Sequence, residues 1–424
     1  MTHEPHGPTT LSPARLRLAL LALALGGFGI GATEFVAMGL LPGIATDLLP
    51  QLAATSPDEA NAQAGWLISA YALGVVVGAP TIAAVAAKWP RKRLLLVLVA
   101  WFALGTLASA LLPSFGLVLV ARFVAALPHG AYFGIASLVA ASLMGPGKRG
   151  RGVALVLSGL TIANVVGVPS ITWLGQLAGW RAAYLAVAAI FALTVVAIAA
   201  AVPWQPGDAT ASVRRELGAF RRGQVWFAIG IGAIGFGGFF AMYSYVAPLA
   251  TEVTGLDASL VPFVLVATGL GMTIGNLIGG RLADWSVRRT MLLSFVALAV
   301  SLALMALTAA DPVGLFAGAL LVGATASALS PTIQTRLMDV ARDSQSIAAA
   351  LNHSALNIGN SLGALLGGLV IAGGLGYLAP IWVGLALTAA GFVLAFASFA
   401  VDRSRARRGA AVPWLTGAVE AVEG

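Results

Sequence analysis

The chain has 424 residues, of which 59% are hydrophobic and only 9% charged, and its mean hydropathy is +0.93. A soluble domain carries about 45–50% apolar and about 25% charged residues, so a soluble globular protein is excluded and a chain embedded in a bilayer is indicated. The net charge of +8 would suggest nucleic acid in a soluble protein, but orientation in a membrane accounts for it and no nucleic-acid partner is expected, while the lack of cysteine rules out disulfides, thiolate metal sites and cysteine nucleophiles.

Hydropathy in windows of about 19 residues predicts twelve spans, roughly 16–41, 62–87, 94–112, 115–144, 152–174, 181–203, 224–247, 258–283, 290–309, 312–333, 345–373 and 376–401. The first follows Arg15 and Arg17 and so has the flank of a signal peptide. Its apolar run is too long for one, and no small-residue cleavage site closes it, so it is read as a span. Of the 24 Lys and Arg, 22 fall on one side of this topology. By the positive-inside rule that side is the cytoplasm. A multi-pass protein of the cell inner membrane with both termini cytoplasmic is expected.

Span 1 carries GATEFVAMGLLPG at 31–43, and within it the carboxylate Glu34. A charge inside the hydrocarbon costs at least about 2.5 kcal/mol, so such residues face a protein interior or a watery cavity and mark proton or substrate paths. Span 4 carries ARFVAALPHGAYFG at 121–134, with Arg122 and His129. All other acidic residues fall outside the spans or at their edges, and Arg181 falls in an outer turn, leaving Glu34 and Arg122 as one carboxylate and one guanidinium within the membrane. Both lie about 10 Å below the outer face at about 1.5 Å per residue. They are therefore level, and expected to serve proton coupling together, a purely structural ion pair between spans 1 and 4 being the alternative. His129 lies two turns deeper on the face of Arg122. It either extends a proton relay or, more ordinarily, bonds a carbonyl freed by Pro128.

Span 5 carries GLTIANVVGVPSITWLGQLAGW at 159–180, where Gly159 and Gly167 let helices approach closely and Pro169 permits a bend. Thr161 and Asn164 in that span, Tyr243 and Tyr245 in span 7, and Asn276 in span 8 are candidate substrate contacts, with helix-to-helix hydrogen bonds as an equal reading. In span 11, beside Asn352, the residues His353, Asn357 and Asn360 recur at i, i+4 and i+7. That polar stripe on an apolar helix is expected to face a central cavity and bind substrate.

Residues 73–96 align without gaps on residues 270–293 at an offset of 197, Gly74 and Gly78 falling on Gly271 and Gly275, and Arg91-Lys92 on Arg288-Arg289. The stretch LPGIATDL at 41–48 echoes APLATEV at 247–253. Two six-helix halves are implied, joined by the polar, basic stretch 204–222, with a site between them; this is a transporter architecture. The expected fold is an all-α integral membrane protein of twelve helices in two pseudo-symmetric halves, 1–203 and 223–402, with a tail at 403–424.

With these motifs the chain resembles the major facilitator superfamily over nearly its whole length, and specifically its twelve-span drug:proton antiporter branch, with the sugar-efflux and chloramphenicol-resistance-like exporters. The family's signature turn, G-x-L-a-D-R-x-G-R-R, is present in the second half as Gly280-Arg281-Leu282-Ala283-Asp284 with Arg288-Arg289. In the first half Ala83 and Ala87 replace its Gly and Asp, and Pro90 replaces the loop Gly. The resemblance implies that this turn latches the cytoplasmic ends of the halves, which makes Asp284 and Arg288 gating candidates. Span 5 resembles the antiporter signature built on G-x-x-x-G-P, with Gly167 and Pro169 in gating roles and Ile171 where a Gly is usual. The resemblance and the residues together lead to a proton-driven exporter of a small amphipathic compound, such as a drug, or a sugar or nucleoside, working by alternating access. Competition between proton and substrate at Glu34 is the expected coupling. A facilitator without proton coupling and a channel are the rivals. An enzyme is disfavoured because no nucleophile or metal constellation is visible; no cofactor and no metal are expected, and the chain is expected to act as a monomer.

Overall fold

The structure, a computed structural model, describes residues 12–86, 88–145, 149–207, 220–341 and 345–407. Residues 208–219 of the linker, 408–424 of the tail and Ala87 of the first signature turn lie outside the described residues.

Hydrocarbon offers no partner for a backbone N–H or C=O, so a spanning segment must satisfy its own, as a helix does. Among the described residues every regular element is helical. Eleven helices are long and apolar enough to cross a bilayer. The first seven are α1 Pro13–Leu48, α2 Pro57–Ile82, α3 Arg91–Leu111, α4 Phe115–Met144, α5 Arg151–Ala178, α6 Trp180–Ala201 and α7 Gly223–Tyr243. The next, Val261–Thr308, has 48 residues. At about 1.5 Å per residue it is about twice as long as a bilayer core is thick. It is broken at Ser286, whose φ of −165° and ψ of 102° are extended, and so forms two spans, α8 at 261–285 and α9 at 287–308. The last three are α10 Pro312–Ala341, α11 Gln345–Ala372 and α12 Ala379–Arg407. The twelve expected spans are present.

The repeat read in the sequence has a packing cause. A Cβ added to Gly74 or Gly78 would stand 2.2 Å from the Phe123 carbonyl oxygen or 1.9 Å from that of Leu127. At Gly271 and Gly275 it would stand 2.0 Å and 1.9 Å from the oxygens of Leu320 and Ala324. The touched carbonyls are themselves 197 residues apart, so α2 lies on α4 as α8 lies on α10.

Three helices depart from regular geometry near the middle of the bundle. In α4 the break falls between Ala126 and His129. There Pro128 cannot donate to the Val124 carbonyl, which accepts instead from Trp101 Nε1 of α3 at 2.9 Å. In α5 and α7, π-helical turns occupy Ala163–Gly167 and Ile231–Gly235, the former leading directly into Val168-Pro169.

Two ends of the bundle can be told apart. One carries the basic turns around Arg91, Arg288 and Arg403. At the opposite end Arg181 is ion-paired with Asp47 at 3.1 Å and donates to the carbonyls of Ala110 and Leu112, tying α1, α3 and α6 together. The halves meet from that end to mid-bundle. Asn61 donates to Tyr377 Oη at 2.8 Å, Gln176 to the Ala258 carbonyl at 2.7 Å, and Ser69 to the Ser361 carbonyl at 3.2 Å. Phe35 of α1 stacks on Phe240 of α7, ring centroids 6.3 Å apart. Nearer the basic end, past the contacts of His129 and Phe133 with His353, no hydrogen bond or ring contact joins the halves among the described residues. The bundle is closed at the end opposite the basic turns.

One expectation needs correction. Arg336 and Asp402 lie beyond the predicted ends of spans 10 and 12, yet α10 and α12 continue past them. Both are 1% exposed and ion-paired, and Arg336 also donates to Gln224 and Ser398. Glu34 and Arg122 are therefore not the only buried acid and guanidinium. Hydropathy windows stop at the first charges and cannot register that helices from three spans converge to bury them.

Candidate functional site

The candidate site grows from α1. Glu34 is buried at 6% exposure, and the residue before it, Thr33, accepts a 3.1 Å hydrogen bond from Arg122 Nη1 of α4. Arg122 is completely buried. Its guanidinium lies over the ring of Tyr71 at 4.3 Å and within 5.3 Å of the ring of Tyr184, where the negative π-faces stabilise a desolvated cation. Its Nε and Nη2 have no hydrogen-bond partner among the described residues. Glu34 and Arg122 are thus neighbours as well as level, and the charge of Arg122 acts on the carboxylate, but they do not form a direct ion pair among the described residues.

From this pair a line of polar and aromatic groups crosses to the second half. Tyr71 Oη lies 3.3 Å from His129 Nδ1, the direction of the proton depending on the tautomer. The carbonyl freed by Pro128 accepts from Trp101 Nε1 and from the Leu127 N–H, and the His129 ring is linked to Tyr71 instead. The His129 ring is 5.7 Å from that of His353 on α11, and Phe133 stacks flat on His353 at 5.3 Å. One turn further along α11, Asn357 donates to the His353 carbonyl at 3.0 Å.

The amides and one phenol around this line are buried but unsatisfied. Asn164 Oδ1, Asn352 Oδ1, Asn357 Oδ1, Asn360 Oδ1 and Tyr243 Oη lack hydrogen-bond partners among the described residues. Leaving one such group dry costs about 1–3 kcal/mol, so a set of them is an arrangement that a polar ligand or water would complete. Asn360 approaches Glu34 from the second half, and Tyr243 is near enough to sense its charge. Phe35, next to Glu34, also touches Tyr243, at 5.9 Å. The carboxylate therefore sits just inside the aromatic contact that closes the opposite end.

Not every residue anticipated for the site is here. Asn276 is exposed. Tyr245, though buried, donates its hydroxyl to the Ala364 carbonyl at 2.6 Å and holds the segment after α7 to α11. Gly167 abuts α1, where an added Cβ would stand 2.7 Å from Phe28 Cζ, and Pro169 follows the π-turn beside it, so these two shape the α1–α5 contact. Asp284 is exposed and makes no hydrogen bond or ion pair among the described residues, and Arg288 turns toward Arg403 and Arg407 of α12 rather than to Asp284. Sequence reasoning overlooked Thr33, Tyr71, Tyr184 and Phe35. Tyr71 carried a usable signal, as a hydroxyl in an otherwise apolar span; the others carry none without the fold.

Comparison with known proteins places this arrangement. The family model described as Major Facilitator Superfamily matches residues 23–285 and 229–416. The chain is 39% identical over 363 residues, 86% of its length and 91% of the relative's, to the inner membrane transport protein YdhP of Escherichia coli. It is 33% identical over 385 residues, covering 89% and 95%, to the chloramphenicol resistance protein of Streptomyces lividans. Among solved structures, that of a D-xylose-proton symporter is similar in fold, with a TM-score of 0.71 at 16% identity over 90% of this chain and 97% of that one. A bacterial homologue of the human lysosomal transporter Spinster, in an inward-facing and unoccupied conformation, gives 0.66 at 17% identity, over 92% and 96%. On these matches and on its twelve-helix, two-domain fold, the chain belongs to the major facilitator superfamily and is a multi-pass membrane transporter rather than an enzyme.

Proposed function

We propose that this transporter is a proton-coupled exporter of small amphipathic molecules, drug-like and neutral or cationic, that works by alternating access. One observation carries the reading. Glu34, the carboxylate buried between the halves among the described residues, lies beside a buried guanidinium and is faced by the Asn360 amide of the other half, immediately inside the closed aromatic contact. A group so placed is reached by substrate and by protons alike, and is read by both halves.

Coupling then follows from exchange. Substrate entering from the basic end displaces the proton from Glu34, directly or through Arg122, and protonation from the opposite end releases the substrate there. The buried amides Asn164, Asn352, Asn357 and Asn360 together with Tyr243 supply polar contacts, and the rings of Phe35, Phe240 and Tyr71 supply flat apolar ones. That mixture suits a ring-bearing amphipathic compound better than an inorganic ion, and the likeness to a chloramphenicol resistance protein supports it. The asymmetric charge, 22 of 24 Lys and Arg at one side, and the likeness to an inner membrane transport protein support an inner-membrane location with the basic end and both termini in the cytoplasm.

The test uses purified protein in liposomes with an imposed pH gradient and a panel of neutral and cationic compounds, chloramphenicol included. Wild type should move a panel member uphill and release protons when substrate is added. Glu34→Gln should still bind a neutral substrate, yet lose gradient-driven accumulation and proton release. Uphill export by Glu34→Gln at the wild-type level would make Glu34 structural, and transport by wild type that ignores the gradient would make the protein a facilitator.

A further inference from the structure

Away from the central site, at the basic end, a cavity of about 280 Å³ opens between α9 and α12, lined by Arg288, Phe396, Ala400, Arg403, Ser404 and Arg407. Three guanidinium groups converge on it. The ion pairs among the described residues are Arg181–Asp47 and Arg336–Asp402, so none of the three has a carboxylate partner there. Nearby cations are occupied differently. Lys92 donates to the Ala199 carbonyl, Arg222 to those of Val340 and Ala341, and Arg281 to that of Leu277. Among the described residues Arg288, Arg403 and Arg407 make no such bond.

The α12 side of the cavity is a stripe. Val393, Phe396, Ala400, Arg403 and Arg407 are spaced three and four residues apart, so they share one helix face. That face is apolar toward the membrane interior, with Val393 63% and Phe396 57% exposed, and basic toward the end of the helix. Phe396 and Arg403 are seven residues apart, or about 10 Å along the axis at about 1.5 Å per residue. A ligand matching this stripe has an anionic head and an apolar stem and comes to it from the bilayer.

We propose that the α9–α12 cleft holds the phosphate headgroup of an anionic phospholipid, its acyl chain lying along Phe396 and Val393. The planar forks of the arginines suit phosphate oxygens, the Ser404 hydroxyl adds a donor, and a basic pocket between spans at the membrane surface is the kind that lipid headgroups occupy. The headgroup ties the start of α9, just after the Ser286 break, to the end of α12. The assignment is independent of the proton chemistry at Glu34.

The test is native mass spectrometry of the full-length chain in detergent, titrated with phosphatidylglycerol, phosphatidylcholine or inorganic phosphate. Wild type should retain one phosphatidylglycerol in preference to phosphatidylcholine, and millimolar phosphate should not displace it. Each of Arg288→Gln, Arg403→Gln and Arg407→Gln should weaken retention about fivefold, and Phe396→Ser should weaken it as well. Lys88→Gln with Arg91→Gln and Arg93→Gln should have no effect. The comparison is made among variants that unfold at the wild-type temperature in phosphatidylcholine. Equal retention of both lipids, unchanged retention in all three arginine variants, or equal weakening by the Lys88 set would overturn the site. Displacement by phosphate would reassign it to a free anion and overturn the lipid.

Discussion

Arg122 illustrates how a guanidinium can be held inside the membrane without a carboxylate directly bonded to it among the described residues. Thr33 takes one of its donors, and the rings of Tyr71 and Tyr184 lie beside its cationic plane. Tyr71 has two separable jobs, since its ring serves Arg122 while its hydroxyl reaches His129. Tyr71→Phe should therefore preserve folding and substrate binding while altering the pH dependence of transport in liposomes; an unchanged pH profile would remove His129 from the relay. The second buried pair behaves as a structural element. Removing one partner of a buried ion pair costs about 3–5 kcal/mol, whereas replacing both with apolar residues is often neutral. Asp402→Ala should lower the thermal unfolding temperature of the purified protein strongly, and Arg336→Met with Asp402→Leu should recover most of that loss. A double variant as unstable as the single one would mean that Gln224 and Ser398, left without Arg336, dominate the network.

At the scale of elements, the decisive contacts are helix backbones laid against each other through glycine. At Gly78 and Gly275 an added Cβ would stand 1.9 Å from a carbonyl oxygen of the facing helix, and a backbone cannot yield as a side-chain tip can. Gly78→Val and Gly275→Val should both abolish accumulation of folded protein, measured by size-exclusion chromatography. Gly43→Ala and Gly116→Ala, where a Cβ would meet nothing within 4 Å, should be tolerated. The symmetry of the two α2-like contacts makes equal outcomes the expectation, and a benign Gly275→Val would show that the second half repacks more easily than the first. The break in α4 has a similar local cause, Pro128 freeing the Val124 carbonyl that Trp101 then caps. His129 is the first residue of the helix after that break, and its ring meets Tyr71.

For the whole molecule, the contacts between halves are concentrated from the end opposite the basic turns to mid-bundle: Asn61 with Tyr377, Gln176 with the Ala258 carbonyl, Phe35 with Phe240. Alternating access requires these to break while others form near the basic end. Tyr377→Phe with Gln176→Ala should shift the population toward the state open at the end opposite the basic turns. The chain has no native cysteine, so reporters introduced at Thr33 and at Asn276 can read the two ends by labelling rate, faster at Thr33 and slower at Asn276 in the variant. Asp284 is exposed and makes no ion pair among the described residues in the present state, as a latch that acts only in the other state would be. Asp284→Asn should leave the closed end as it is and, in the same labelling experiment, favour the state open at the basic end. Unchanged rates at both reporters would remove the turn from gating.

Composition and periodicity alone determined that the chain is a bundle of twelve membrane helices in two related halves, because hydrocarbon permits few solutions and a repeated glycine spacing can serve only repeated close packing. They also singled out Glu34 and Arg122, since a charge within an apolar run stands out against its cost, and their shared depth follows from helix rise. What the linear chain could not carry was who stands beside whom. Tyr71 and His129, 58 residues apart, meet because α2 packs on α4 through glycine. Tyr243 and Tyr245, two residues apart, part company because one phenol meets the Ala364 carbonyl and the other does not. Arg336 and Asp402 read as surface charges until α10 and α12 extend beyond their apolar runs and enclose them. In each case the deciding quantity is the position of a neighbouring helix, set by long-range packing and absent from local pattern.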